Sequence, residues 1–228
     1  MATASTTSLP LLVLRKVAIV GAGSAGLAAA AELLALSRSN GGKTALRFEP
    51  TLFERRPHLG GIWQYDEPGE CTFLFDSRGV AHPVSSLTAS QGQGASTAAA
   101  TTGQRTWPPS PMYNGLRTNI ARDLMCFRDF QDAQQHARSD GQQYLFPPRE
   151  EVQRYIEAYA DAHKLQPYIR YNANVVSITR TAHSENSSRG GNGAGSRWNV
   201  VTRSLSDDGA SRSEAFDYII VSSKLCSF

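Results

Sequence analysis

Lys16-Val-Ala-Ile-Val-Gly-Ala-Gly-Ser-Ala-Gly-Leu-Ala-Ala-Ala-Ala-Glu-Leu-Leu34 reads as a short apolar strand, a glycine-rich turn and an alanine-rich helix. Val17 to Val20 is a continuous apolar run suited to a strand buried on both faces, and Leu27 to Leu36 is rich in good helix formers without a proline. Gly21, Gly23 and Gly26 have the spacing of a dinucleotide-binding turn. Gly21 allows the tight turn, Gly23 lets the backbone approach a pyrophosphate, and Gly26 lets the helix pack closely on the strand. Ala22, Ser24 and Ala25 complete the loop, whose N–H groups at the helix N-terminus favour negative charge. Three glycines alone are weak evidence, because a glycine-rich turn can carry no ligand. The flanking strand and helix favour the binding reading.

Working outward, Ser37-Arg-Ser-Asn-Gly-Gly-Lys43 should end the helix. The next strand candidate is Leu46 to Glu54, and because Pro50 cannot donate to a ladder the dependable part is expected from Thr51. Glu54 then stands at the C-terminal end of the second strand, where its carboxylate can accept hydrogen bonds from a ribose diol. It follows Gly26 by 28 residues, against a usual interval of about 20. The polar stretch before Lys43 accounts for the excess. The alternative is a surface carboxylate paired with Arg55 or Arg56.

Phe53-Glu-Arg-Arg-Pro-His-Leu-Gly-Gly-Ile-Trp63 follows, and after it Met112-Tyr-Asn-Gly-Leu-Arg-Thr-Asn119. In these blocks the chain resembles the flavin-containing monooxygenases, in which an acidic and a basic residue precede a Gly-Gly-x-Trp turn that wraps FAD and a Tyr-x-x-Leu-x-Thr-Asn block comes later. The resemblance implies cofactor contacts for Glu54, Arg55, Gly60, Gly61, Ile62, Trp63, Thr118 and Asn119. Gly60 and Gly61 permit backbone torsions that other residues would not, and Trp63 offers a flat surface. A tryptophan that merely fills a core fits Trp63 taken by itself. By resemblance Asn119 lies at the reactive edge of the isoalloxazine, where a neutral amide can donate one hydrogen bond and accept another. Capping the helical segment that follows is the alternative.

Phe146 to His163 is an amphipathic helix, with Val152, Tyr155, Ile156 and Tyr159 on one face, Pro148 suited to the first turn, and Glu150 and Glu151 complementing the dipole. Arg149 receives no role. Strand candidates follow at Asn174 to Thr181, Arg197 to Arg203 and Phe216 to Ser222, the last two joined by the Asp207-Asp208-Gly209 turn. The family has a small β-meander here before returning to the parallel sheet, and Val175 and Val176 occupy the place of its adenine contacts.

The expected fold is α/β: a Rossmann-like FAD-binding domain over residues 16–222 with a parallel sheet and a small antiparallel meander. It has a disordered leader over 1–15, low-complexity insertions at about 85–109 and 183–196, and an atypical tail at 223–228. Where the family has Ala-Thr-Gly after the last strand, this chain has Ser222-Ser-Lys, and no second Gly-x-Gly-x-x-Gly occurs. The resemblance therefore covers the N-terminal half of a family enzyme, truncated before the NADPH domain. Complete members reduce FAD with NADPH, form a C4a-hydroperoxyflavin with O2 and oxygenate a soft nitrogen or sulfur nucleophile. That predicts a flavin-dependent N- or S-monooxygenase, incomplete in this chain. The alternative is a non-catalytic FAD-binding module that needs a partner, and an NAD(P) dehydrogenase is the third reading. The face left by the missing domain is expected to support self-association.

With 228 residues the chain can bury a real core. A net charge of +3, with both signs mixed along the chain, gives no electrostatic case for nucleic acid or an anionic membrane. Cys71, Cys126 and Cys226 are odd in number and widely spaced, which argues against a disulfide framework or a zinc site and for a cytoplasmic location. No stretch has the apolar length of a membrane span.

Overall fold

The computed structural model describes residues 11–39, 44–66, 73–75, 81–83, 110–131, 144–181, 198–205 and 209–223. The expected insertions at 85–109 and 183–196, residues 1–10 of the leader, and the tail from 224 lie outside the described residues. So do Cys71 and Cys226. The chain divides into two compact units, one built from 1–57 and 158–223 and the other from 58–157 and 224–228.

In the first unit β1 (Leu11–Val20) runs into α1 (Ser24–Ser39) and then β2 (Thr44–Phe53). β1 and β2 pair in parallel from Leu11↔Thr44 to Val20↔Phe53. The run Val17, Ala18, Ile19 is buried, as a strand covered on both faces requires. α1 buries Gly26, Leu27, Ala30 and Ala31, a stripe of mostly small side chains that lets the helix lie close to its neighbours.

The leader was expected to extend to residue 15, but β1 begins at Leu11. Leu12 and Leu14 remain 57% and 51% exposed, so backbone pairing with β2 extends the strand rather than burial of its side chains. Pro50 also lies inside β2, opposite Val17. β2's other neighbour, β5 (Ile169–Arg170), pairs only with Leu52 and Phe53. A missing N–H at position 50 therefore removes no ladder bond on that side.

In the second unit β3 (Phe73–Phe75) and β4 (Ala81–Pro83) form a two-stranded antiparallel sheet. A single turn, α2 (Arg122–Met125), precedes the longer α3 (Arg149–Ala162), whose residues up to Glu157 belong to this unit. Val152, Ile156 and Tyr159 are buried as the helical stripe requires. Tyr155, only partly buried, uses its hydroxyl instead, donating to the Phe130 carbonyl at 2.9 Å and accepting from the Phe127 N–H at 2.7 Å. Its ring lies 5.7 Å from Phe127 and 5.5 Å from Phe130. Tyr155→Phe should keep these ring contacts and lose the hydroxyl, costing about 1 kcal/mol in urea unfolding. An unchanged midpoint would mean that water replaces both bonds without loss.

Back in the first unit, β6 (Ala173–Arg180), β7 (Trp198–Ser204) and β8 (Ser211–Phe216) form the antiparallel meander, and β9 (Tyr218–Val221) returns to pair with β1 in parallel. The parallel sheet has the order β5-β2-β1-β9. The third strand of the meander differs from expectation. Phe216 to Ser222 is not one strand, because Phe216 ends β8 and Tyr218 begins β9. β8 reads Ser-Arg-Ser-Glu-Ala-Phe, and only Phe216 is buried. It has no apolar alternation for a sequence pattern to find. Backbone pairing with β7, a Ser213–Asn199 side-chain bond at 2.8 Å and an ion pair between Arg170 and Glu214 hold it.

Ala18, Phe53, Val200 and Phe216 form one buried cluster against which Ala173, Val175 and Ile219 pack. The Phe53 and Phe216 rings meet edge to face at 5.8 Å. Each such ring contributes about 2–3 kcal/mol by burial, and the pair ties the end of β2, where Glu54 follows, to the meander.

Candidate cofactor-binding site

The glycine turn is built by contacts among β1, β2 and the residue after β9. The Gly21 N–H donates to the Phe53 carbonyl at 2.9 Å, and Gly21 adopts φ +102°, in the region that favours glycine. A β-carbon on Gly26 would strike the Gly21 carbonyl oxygen and come within 2.7 Å of Ser222 Oγ. The sequence reading assigned Gly26 to close packing of helix on strand. The close neighbours are the turn itself and Ser222.

Leu27 N–H donates to Gly23 O at 3.0 Å, which makes it the first N–H of the helix bonded four residues back to the turn. The N–H groups of Ser24, Ala25 and Gly26 therefore lie in the first turn, where no intrahelical acceptor exists. No acidic side chain occupies that turn. A helix of 16 residues with a glycine-lined entrance and no acidic residue in its own first turn suits a diphosphate.

Glu54 is 5% exposed, so the surface-carboxylate alternative fails. Its Oε2 accepts from the Ala22 N–H at 2.9 Å and its Oε1 from the Arg56 N–H at 3.0 Å. Backbone bonds hold it further, from the Glu54 N–H to Arg170 O and from the Ala173 N–H to Glu54 O, both 2.9 Å. Each carboxylate oxygen has a second lone pair, so a ribose diol can still be accepted beside these bonds. Arg55 is partly buried and makes contacts of its own.

Val175 is partly buried and packs on the core cluster, while Val176 is 37% exposed at a β-bulge between Val175 and Ser177. The bulge leaves Val176 without a partner of its own in the register with β7.

In the second unit, Gly60 and Gly61 have φ +117° and +59°, and Gly61–Trp63 forms a 3-10 turn. The torsional reading of both glycines holds. At Gly60 a β-carbon would run into the Gln153 amide. Gln153 donates from Nε2 to Leu59 O at 3.1 Å and to Glu157 Oε1 at 2.6 Å, while its buried Oε1 has no partner among the described residues. Ile62 is 56% exposed and Trp63 is partly buried. Arg149, left without a role by the sequence, stacks its guanidinium 4.0 Å above the Tyr65 ring.

Thr118 is buried, its N–H donating to Pro147 O at 3.0 Å and its Oγ1 to Ile120 O at 2.9 Å. Asn119 is exposed. The N-cap of α2 is Ala121, with no side-chain capping bond, so Asn119 does not cap that helix.

The sequence did not single out Ser222 or Gln153. Ser222 carried a weak signal, a hydroxyl where the resembled family has alanine at the end of its last strand. Gln153 carried none beyond its helical spacing from Arg149. Among the described residues, no cluster of His, Cys, Asp or Glu could hold a metal, and no helix is long and apolar enough to cross a membrane.

Comparison with known proteins adds two family models. One, described as flavin-binding monooxygenase-like, matches residues 108–227, and another, described as an NAD(P)-binding Rossmann-like domain, matches residues 19–89. The Arabidopsis thaliana protein named flavin-containing monooxygenase FMO GS-OX-like 6 is 30% identical over 209 residues, which is 91% of this chain and 34% of that protein. The solved structure of S-allyl-L-cysteine S-oxygenase from Allium sativum is similar with a TM-score of 0.57 and 26% identity, covering 92% of this chain and 36% of that one. Tmm from a Pelagibacter strain shares the fold with a TM-score of 0.58 at 23% identity, over 90% of this chain and 35% of that one. The chain spans about a third of the length of the first two of its curated relatives, FMO GS-OX-like 6 and FMO GS-OX-like 1.

Proposed function

Because the chain belongs to the flavin-binding monooxygenase-like family, we propose that it binds FAD. The diphosphate lies at the Gly21–Gly26 turn and the adenosine ribose at Glu54. The observation that carries this reading is the turn itself: an open helix N-terminus of which one peptide N–H is held by a buried carboxylate. The N–H groups of Gly23, Ser24, Ala25 and Gly26 meet the phosphate oxygens, and the remaining lone pairs of Glu54 accept the ribose hydroxyls. Val175 and Val176 flank the adenine.

Gly60, Gly61, Ile62, Trp63, Thr118 and Asn119 take the flavin end, with Arg55 beside the acidic residue. Bound FAD supplies the redox chemistry. The chain's side chains orient it, and the Asn119 amide can donate and accept at the reacting edge without itself supplying an acidic proton. Trp63 contributes an aromatic surface that excludes water. The reaction proposed is N- or S-oxygenation of a small nucleophile, with NADPH as reductant and O2 as oxidant. The second reading is an FAD-binding module without turnover of its own. What favours it is that the 228 residues contain one Gly-x-Gly-x-x-Gly turn. A cytoplasmic location belongs to the same proposal.

The test is visible absorption of the purified chain after incubation with FAD and gel filtration. Co-eluting flavin, lost in Gly23→Trp, is expected. A colourless, folded wild-type chain would overturn the reading. NADPH oxidation by the flavin-loaded chain then separates the monooxygenase from the module.

A further inference from the structure

We propose that Ser222 is a positioning residue of the cofactor turn, acting with Glu54 to clamp the Gly21–Ala22 peptide plane from opposite sides. What that plane serves rests on the flavin reading above. The clamp itself rests on geometry.

In a trans peptide the carbonyl and the N–H lie in one plane and point in opposite directions. The Gly21 carbonyl receives the Ser222 hydroxyl at 3.0 Å, and the Ala22 N–H donates to Glu54 Oε2 at 2.9 Å. One peptide plane is thus fixed at both ends by side chains that stand more than 160 residues apart in sequence. The Ser222 hydroxyl has one proton and lies 2.8 Å from Val20 O as well, so it makes a three-centre bond to successive carbonyls. Its own N–H donates to Val20 O at 3.0 Å, which keeps the serine at the end of β9 in register with β1. A plane held only by the carboxylate could tilt about that bond; the second bond removes that freedom.

This matters because, besides these two side chains, the turn is held by backbone bonds from the Gly21 N–H to Phe53 O and from the Leu27 N–H to Gly23 O, neither of which bears on the Gly21–Ala22 plane from its carbonyl side. Gly21 and Gly23 lack side chains, and the plane between Gly21 and Ala22 sets the direction in which the chain enters the N–H groups from Gly23 to Gly26. A donor array already aimed at the phosphate need not be ordered by the ligand, so affinity rises without a new contact. Ser222 does this without touching the cofactor.

The test uses the full 228-residue chain as wild type, Ser222→Ala, Ser222→Thr, Glu54→Gln and the Ser222→Ala/Glu54→Gln double variant. Two quantities are read: hydrogen exchange of the Ala22 amide without ligand, and the dissociation constant for FAD. Ser222→Ala is expected to speed Ala22 exchange about tenfold and weaken FAD about fivefold. Ser222→Thr, which keeps the hydroxyl, should restore both. The double variant should lose less than the product of the single effects, because both residues act on one plane. If Ser222→Ala lowers only the melting temperature and leaves Ala22 exchange and FAD affinity at wild-type values, Ser222 is a packing residue and the proposal falls. If wild type binds no FAD while Ser222→Ala still speeds Ala22 exchange, the clamp stands and the flavin reading falls.

Discussion

In urea unfolding, Gly26→Ala is expected to destabilise the chain by about 3 kcal/mol. Two effects oppose each other at this position, and their magnitudes decide the sign. Gly26 lies inside α1, where alanine is the better helix former by about 1 kcal/mol. Propensity alone therefore predicts a more stable protein. The added methyl group, however, would strike the Gly21 carbonyl oxygen and come within 2.7 Å of Ser222 Oγ. Neither neighbour can yield cheaply. The first is backbone at φ +102°, and the second is bonded to two carbonyls. Relief requires moving α1 outward, which loosens Leu27, Ala30 and Ala31, all buried. A midpoint shifted to lower urea at unchanged m bears this out. A stabilised variant would show that the turn gives way and that the close approach costs nothing.

Glu54→Ala should be nearly as damaging. It leaves the Ala22 and Arg56 N–H groups without the acceptors they have now, beside a residue that is 5% exposed. Leaving a buried donor unsatisfied costs about 1–3 kcal/mol, so the pair amounts to roughly 3–4 kcal/mol when part of the loss is recovered by water. Glu54→Gln should cost less, because the amide oxygen still accepts one of the two bonds while the NH2 group faces the other donor. FAD affinity should fall in the same order. Glu54→Gln with wild-type stability and wild-type affinity would mean that the carboxylate's charge and second acceptor are both idle.

The strand, turn and helix of residues 16–34 were legible because each local signal agreed with the next: an apolar run, glycines where torsion and close approach require them, then helix formers. Glu54 was legible from its place after the second strand, although the sequence could not say that backbone N–H groups would claim both of its oxygens. The meander's third strand was hidden because β8 is an edge held by backbone bonds and carries almost no apolar side chains. Pro50 misled for a related reason, since its cost depends on a neighbour, β5, too short to reach it. Ser222 and Gln153 matter through contacts with glycines far away in sequence, at Gly21 and Gly60. The glycines announced themselves, and the side chains filling the space beside them did not.

If, as proposed, the glycine turn and Glu54 grip the adenosine diphosphate end of FAD, a flavin without that end should bind the chain more weakly. Calorimetric titration of the chain with FAD and, separately, with FMN, which lacks that end, measures the difference. FAD is expected to bind at least about tenfold more tightly than FMN, a difference of about 1.4 kcal/mol, and Glu54→Gln should narrow the gap. Equal affinities for the two, or binding of neither, would contradict the account.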